Sequence, residues 1–299
     1  MTRVKSEHAD QRQRTYEMEG PRNSQLWHFH YMLFLQDVTA VFDGFKALDI
    51  VDLGVGHNEL RVIVGPNGAG KTTMCDVVSG MTRPATGHVF FDGEEITQMS
   101  ETQIAQRGVG RKFQIPNVFN SLTVYENMLL ALPDPVNEPG FLESLQTDLR
   151  LKGPAGYGFL WLLERIKNAG GRDSPESRDR IHEILERVHL IDERDHLARK
   201  LSHGQRQWLA ISSLILADPK LLLVDEPAAG LTDAETTLSA ELLLALTEDH
   251  TLIVIEHDME FVRHLESSVT VLNEGKVMAE GTMDEIEKDP DVIEAYLGR

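Results

Sequence analysis

With 299 residues, the chain is long enough for one large domain or two small ones, and a hydrophobic content of 41% supports a real core. Its 48 acidic against 29 basic residues give a net charge of −19, which disfavours both nucleic-acid binding and adhesion to anionic lipid by charge alone. One cysteine excludes an intramolecular disulfide, and no apolar run approaches the roughly 18–20 residues that span a bilayer, so a role at a membrane needs another subunit to hold the chain there.

Residues 1 to about 31 are polar and aperiodic and read as a loose tail. They have no apolar centre, unlike a secretory signal. The pattern changes at Met32, where MLFLQDVTAVF alternates apolar and polar residues as a strand does. Residues 32–299 therefore read as the compact domain.

From there strands and helices alternate. LRVIVG predicts a strand, KTTMCDVVSGM a helix with Cys75 as an inert core thiol, and GHVFFDG a strand between turn residues. The middle of the chain changes character: PDPVNEPG, GPAGYG and GGRDSP punctuate helical stretches. In IHEILERVHL the apolar residues at 181, 184, 185 and 188 form a helical stripe. QRQWLAISSLILA reads as a mostly buried helix, and LLLV (Leu221 to Val224) and LIVIE (Leu252 to Glu256) as short buried strands. Buried strands separated by helices indicate an α/β fold with a largely parallel sheet. The middle segment, about 115–210, reads as a helical subdomain inserted into it.

GPNGAGKTT, directly after the apolar VIV, carries the strongest chemical signal. Gly65, Gly68 and Gly70 let the backbone turn tightly, so that several N–H groups converge on phosphate oxygens at the positive end of the next helix. Lys71 supplies a charge for β- and γ-phosphates, and Thr72 a hydroxyl for Mg²⁺. LLLVDEP ends a buried strand in two carboxylates, at the crevice where open α/β sheets bind ligands. Asp225 is placed to hold Mg²⁺, and Glu226 to polarise an attacking water; a solvated Asp-Glu turn is the plainer alternative. Ser202, in LSHGQRQ, stands at a helix N-cap; with Gly204 it is either a simple cap or a second anion-binding concavity. Taken alone, His257 after the strand and Gln114 in a loop mean little.

In this order, phosphate loop, glutamine loop, Ser-x-Gly-Gln, strand with Asp-Glu and switch histidine, the residues resemble the ATP-binding subunit of an ABC transporter over about residues 32–299. The resemblance implies the α/β phosphate-loop domain of ABC type, with an inserted helical subdomain and an antiparallel β portion near the N-terminus. It implies that Phe42 stacks on adenine, and that Gly65, Asn67, Gly68, Gly70, Lys71, Thr72 and Thr73 hold ATP phosphates. Thr72, Gln114 and Asp225 would serve Mg²⁺, with Glu226 as base and His257 and Gln114 completing the catalytic set. Ser202, Gly204 and Gln205 would cap the γ-phosphate of a facing subunit, and Asp233 would speak across that interface. His203 departs from the commoner LSGGQ, and Thr232 from a common Leu; neither change removes a catalytic group.

The same resemblance implies ATP and Mg²⁺, a second ATPase subunit, integral-membrane permease subunits and, indirectly, a solute-binding protein, with no nucleic acid. It places the chain at the cytoplasmic face of the plasma membrane, as a peripheral subunit. FDGFKAL, VGRKFQIPNVFNSLTVYEN, LSHGQRQWL and IEAYLGR are similar to the branched-chain amino acid and amide importer group, and within it to urea-importer ATPases. Urea is therefore the expected cargo, with branched-chain amino acids or short amides as the alternative. A non-transport ABC ATPase of translation or DNA repair is the remote one, and the single phosphate loop and acidic balance disfavour it.

Overall fold

The computed structural model describes residues 27–112, 118–132 and 173–297. Before Met32, Trp27–His30 form a 3₁₀ turn, and the Tyr31 ring stacks on Phe34 at 5.4 Å. Residues 27–31, which the sequence groups with the N-terminal tail, are thus structured. Residues 1–26 lie outside the described residues.

The chain opens with β1 (Leu33–Phe42) and β2 (Phe45–Val55), joined by Asp43-Gly44, both at positive φ, the pair a tight hairpin favours. It continues through β3 (Leu60–Val64), α1 (Lys71–Val78), β4 (Thr86–Phe91), β5 (Glu94–Glu95), α2 (Glu101–Gln106) and β6 (Val109–Lys112). Helices α3 (Val124–Ala131), α4 (Pro175–Arg187) and α5 (His203–Ile215) follow. Then come β7 (Leu221–Asp225), α6 (Asp233–Leu246), β8 (Thr251–Ile255), α7 (Met259–His264), β9 (Ser268–Asn273), β10 (Lys276–Thr282), α8 (Met283–Ile286) and α9 (Pro290–Leu297).

Two sheets result. An antiparallel sheet has the order β2-β1-β4-β5, and a mixed sheet the order β10-β9-β3-β8-β7-β6. In the mixed sheet every neighbouring pair is parallel except β10 with β9. Strand β8 is buried along its whole length, as a parallel strand covered on both faces must be. Strand alternation sends Leu221 and Leu223 to a core shared with β1, β2 and α1, and Leu222 and Val224 to one shared with α5, α6 and α7.

The helical stripe of α4 buries Ile181, Ile184 and Leu185, and Val188 follows, all in the core that also takes Trp208 and Leu209 of α5. Ser174 caps α4, and Pro175 occupies its first position, where a missing N–H costs nothing. Among the described residues, no helix is long and apolar enough to cross a membrane.

Candidate functional site

Strands β3, β7 and β8 are neighbours, so their C-terminal ends meet at one edge of the sheet. Past β3, the segment Gly65–Gly70 turns into α1. Gly70 has φ 100, and a Cβ there would lie 2.6 Å from the Ala47 carbonyl, so no other residue fits without strain. No side chain caps α1, and its first turn holds no acidic residue, so its N-terminal N–H groups are left to an incoming anion. Lys71 Nζ donates to the carbonyls of Gly65 (2.7 Å) and Pro66 (3.1 Å). Burial pushes its pKa down, while Glu226 and Asp225 push it up, which ties the loop electrostatically to the end of β7. Thr72 and Asn67 are exposed and Thr73 half-buried.

Asp225 is the last residue of β7; burial and the adjacent Glu226 raise its pKa, against Arg111, Lys112 and Lys71. Glu226 has φ 46, a left-handed conformation that a non-glycine residue adopts only when its surroundings hold it. Its N–H donates to Ile255 O at 3.0 Å, and one carboxylate oxygen lies 3.6 Å from His257 Nδ1. His257 itself is largely exposed.

Two groups here escaped the sequence reading. Glu256 has a side chain only 1% exposed, and its carboxylate accepts N–H bonds from Ala228, His257 and Asp258. It thereby ties the segment after Glu226 to the segment carrying His257. A carboxylate ending an apolar strand, directly before His-Asp, was the available signal. Lys112, the last residue of β6, is 3% exposed, and its Nζ donates to Asp225 O at 3.1 Å. Burial brings its pKa down to about 8 despite Asp225, Glu256 and Glu226 nearby.

Ser202 caps α5 in a reciprocal box: its Oγ accepts from Gln205 N (3.1 Å), and Gln205 Oε1 accepts from Ser202 N (2.9 Å). Ser202 Oγ also donates to Glu235 at 3.1 Å. A Cβ on Gly204 would come within 2.6 Å of the same carboxylate. Glu235 in turn caps α6 through Thr232, and the Thr232 N–H, the Thr232 hydroxyl, Ser202 and His203 all lower its pKa. His203 turns toward its own chain, beside Gln207 and over Gly230. Asp233 starts α6 and is exposed.

Phe42 ends β1, half-exposed, directly opposite the more exposed Phe45. The strand leaving this hairpin brings Ala47 against Gly70, which sets the aromatic pair near the phosphate loop. Gln114 lies outside the described residues.

A parallel sheet with an uncapped glycine-turned helix and acidic strand ends defines a nucleotide-binding α/β protein. The sequence profile of the ABC transporter family matches residues 48–229, and that of the branched-chain amino acid ATP-binding cassette transporter family matches residues 276–299. The chain is 35% identical over 269 residues to the high-affinity branched-chain amino acid transport ATP-binding protein BraF of Pseudomonas aeruginosa, covering 89% of this chain and 98% of that one. A nucleotide-free ATP-binding cassette from an ABC transporter superposes with a TM-score of 0.74 at 28% identity, covering 90% of this chain and 99% of that one. The ATP-binding cassette MJ0796, a dimer in a post-hydrolysis state with ADP and phosphate, superposes with a TM-score of 0.62 at 25% identity over 84% of this chain and 99% of that one. The chain belongs to the ATP-binding subunits of ABC transporters, in the branched-chain amino acid transporter group, and is an ATPase.

Proposed function

We propose that this chain powers the import of branched-chain amino acids, hydrolysing ATP between two facing ATPase subunits that dock on membrane permease subunits. The cargo reading is supported by BraF and by the matched C-terminal segment, residues 276–299. Urea, the cargo expected from the sequence, has no support among the relatives named above, so the alternative is preferred. The dimer of MJ0796 supports the paired arrangement. The cytoplasmic face of the membrane is where such a subunit meets both ATP and its permease.

The observation that carries the chemistry is the convergence of Lys71, Asp225, Glu226 and His257 at one sheet edge. The N–H groups opening α1, with Gly65, Asn67, Gly68, Gly70 and Thr73, cradle the phosphates, and Lys71 exchanges its loop carbonyls for phosphate oxygens. Phe42 stacks on the base. Glu226 accepts a proton from the attacking water, and His257, beside it, steadies the γ-phosphate. Ser202, Gly204 and Gln205 address the nucleotide of the facing subunit, with Asp233 at that interface.

Thr72 and Asp225 would hold Mg²⁺. Both offer oxygen, and among the described residues no cluster of three His, Cys, Asp or Glu forms a protein-only metal cage. That suits an ion held by one or two side chains and substrate phosphates. Bound there, Mg²⁺ supplies charge neutralisation at the phosphates.

The deciding experiment measures labelled leucine and labelled urea uptake in cells whose only copy carries Glu226→Gln. Loss of leucine uptake alone is expected. Loss of urea uptake alone would restore the urea reading, and loss of neither would remove the chain from both.

A further inference from the structure

Burying an ammonium is costly, and Lys112 is buried at the end of the edge strand β6. Its hydrogen bond goes to the main-chain carbonyl of Asp225 at 3.1 Å. That carbonyl belongs to the peptide unit whose N–H is Glu226 N. The N–H side of the same unit donates to Ile255 O on β8 at 3.0 Å. One peptide plane is thus gripped from both flanks, by β6 on one side and β8 on the other. The residue it leads into is Glu226, at φ 46, a conformation that persists only when neighbouring groups over-determine it.

We propose that Lys112 is a positioning residue for ATP hydrolysis, clamping the Asp225–Glu226 peptide and so aiming the Glu226 carboxylate at the attacking water. The inference rests on the reading of Glu226 as the base. It gives Lys112 no contact with nucleotide. A charge placed only to balance carboxylates would be served by a carboxylate oxygen; the carbonyl bond is what fixes orientation. Lys112 follows Val109, Gly110 and Arg111 in β6, and Arg111 pairs elsewhere, with Asp76 at 2.7 Å.

The test is single-turnover hydrolysis of labelled ATP by the purified full-length chain at high concentration, with nucleotide affinity measured by a fluorescent ATP analogue. Lys112→Met should slow hydrolysis about 10- to 100-fold, the scale of a misaimed catalytic group, with nucleotide affinity changed less than about threefold. Lys112→Arg should recover part of the rate. In a Glu226→Gln background, Lys112→Met should add no further loss, because the group it aims is gone. An unchanged rate in folded Lys112→Met overturns the proposal, and so does a full additional loss in the Glu226→Gln background. If Lys112→Met does not fold, Lys112→Gln is judged by the same criteria; failure of both to fold overturns the proposal in favour of a purely structural cation. If Glu226→Gln itself turns over at the wild-type rate, the base reading fails and takes this inference with it. If Glu226→Gln is inactive and Lys112→Met is normal, only this inference falls.

Discussion

The helix starts at Lys71 and His203 both follow a loop that the sequence reading offered to an anion, yet the structure finishes them differently. Helix α1 has no side chain on its first N–H groups and no acid in its first turn. Helix α5 is closed by Ser202 and Gln205, and Ser202 is further bonded to Glu235. Helices α2, α3, α4, α6 and α7 are capped by the side chains of Ser100, Thr123, Ser174, Thr232 and Asp258, and α1 differs from all five. An uncapped start costs stability in a free helix, and it is retained where a ligand supplies the missing acceptors. The α5 start carries a carboxylate 3.1 Å from Ser202 Oγ. On the function proposed above, one half-site would take an anion directly, and the other would first have to move Glu235 aside.

That contrast breaks most readily at Lys71. Lys71→Ala should weaken ATP binding by the isolated chain about 10- to 100-fold, the worth of a charge-assisted bond. Ser202→Ala should leave that affinity alone and cost about 1 kcal/mol of stability for the lost cap. Equal loss of ATP affinity in the two variants, measured by titration calorimetry, would collapse the distinction. The glycines sharpen it next. Gly70→Ala forces a left-handed φ on alanine and drives its Cβ onto a backbone oxygen, so urea denaturation should show a loss of about 1–3 kcal/mol. Gly204→Ala sits in a helix and meets the far end of Glu235 and, at 3.2 Å, Leu231 Cδ2, both side-chain ends that can shift. Its stability change should stay within about 1 kcal/mol, since alanine also favours the helix.

Much of this was legible in the sequence because it is local. Strand period in β1, the α4 stripe, the Ser202 cap and the strand-loop-helix around Lys71 are all decided within a dozen residues. What escaped was long-range. Glu235 reaches Ser202 across 33 positions, Glu256 reaches Ala228 across 28, and Lys112 reaches Asp225 across 113. No periodicity encodes such pairings; each depends on which strand ends the topology makes neighbours. Tyr31 differs, since its anchor is the Phe34 ring close by in the chain, a stacking that polar composition does not reveal. The urea expectation rests on short stretches such as FDGFKAL, and the relatives named above carry branched-chain amino acid names instead.

The smallest effect isolates Glu235 itself. Glu235→Gln removes the charge that Thr232 and Ser202 satisfy, so α6 should lose a little stability, under about 1 kcal/mol because the group is largely solvated. The sign with pH follows from the lowered pKa of Glu235, whose ordinary value is 4.5. The unfolded chain binds the proton more readily, so the carboxylate stabilises the fold fully above pH 4.5 and loses that contribution as pH falls through its folded value. The difference in melting temperature between Glu235→Gln and wild type should therefore be present at pH 7 and shrink below about pH 4.5. In a Glu226→Gln background at pH 7, where hydrolysis is stopped, the same change should strengthen the ATP-dependent dimer, because the partner's phosphate no longer meets a like charge at the α5 start. Light scattering with and without ATP reads this directly. A dimer weakened by Glu235→Gln would mean that the carboxylate holds Ser202 ready for the partner rather than standing in its way, and the two helix starts would then differ in how they are built but not in readiness.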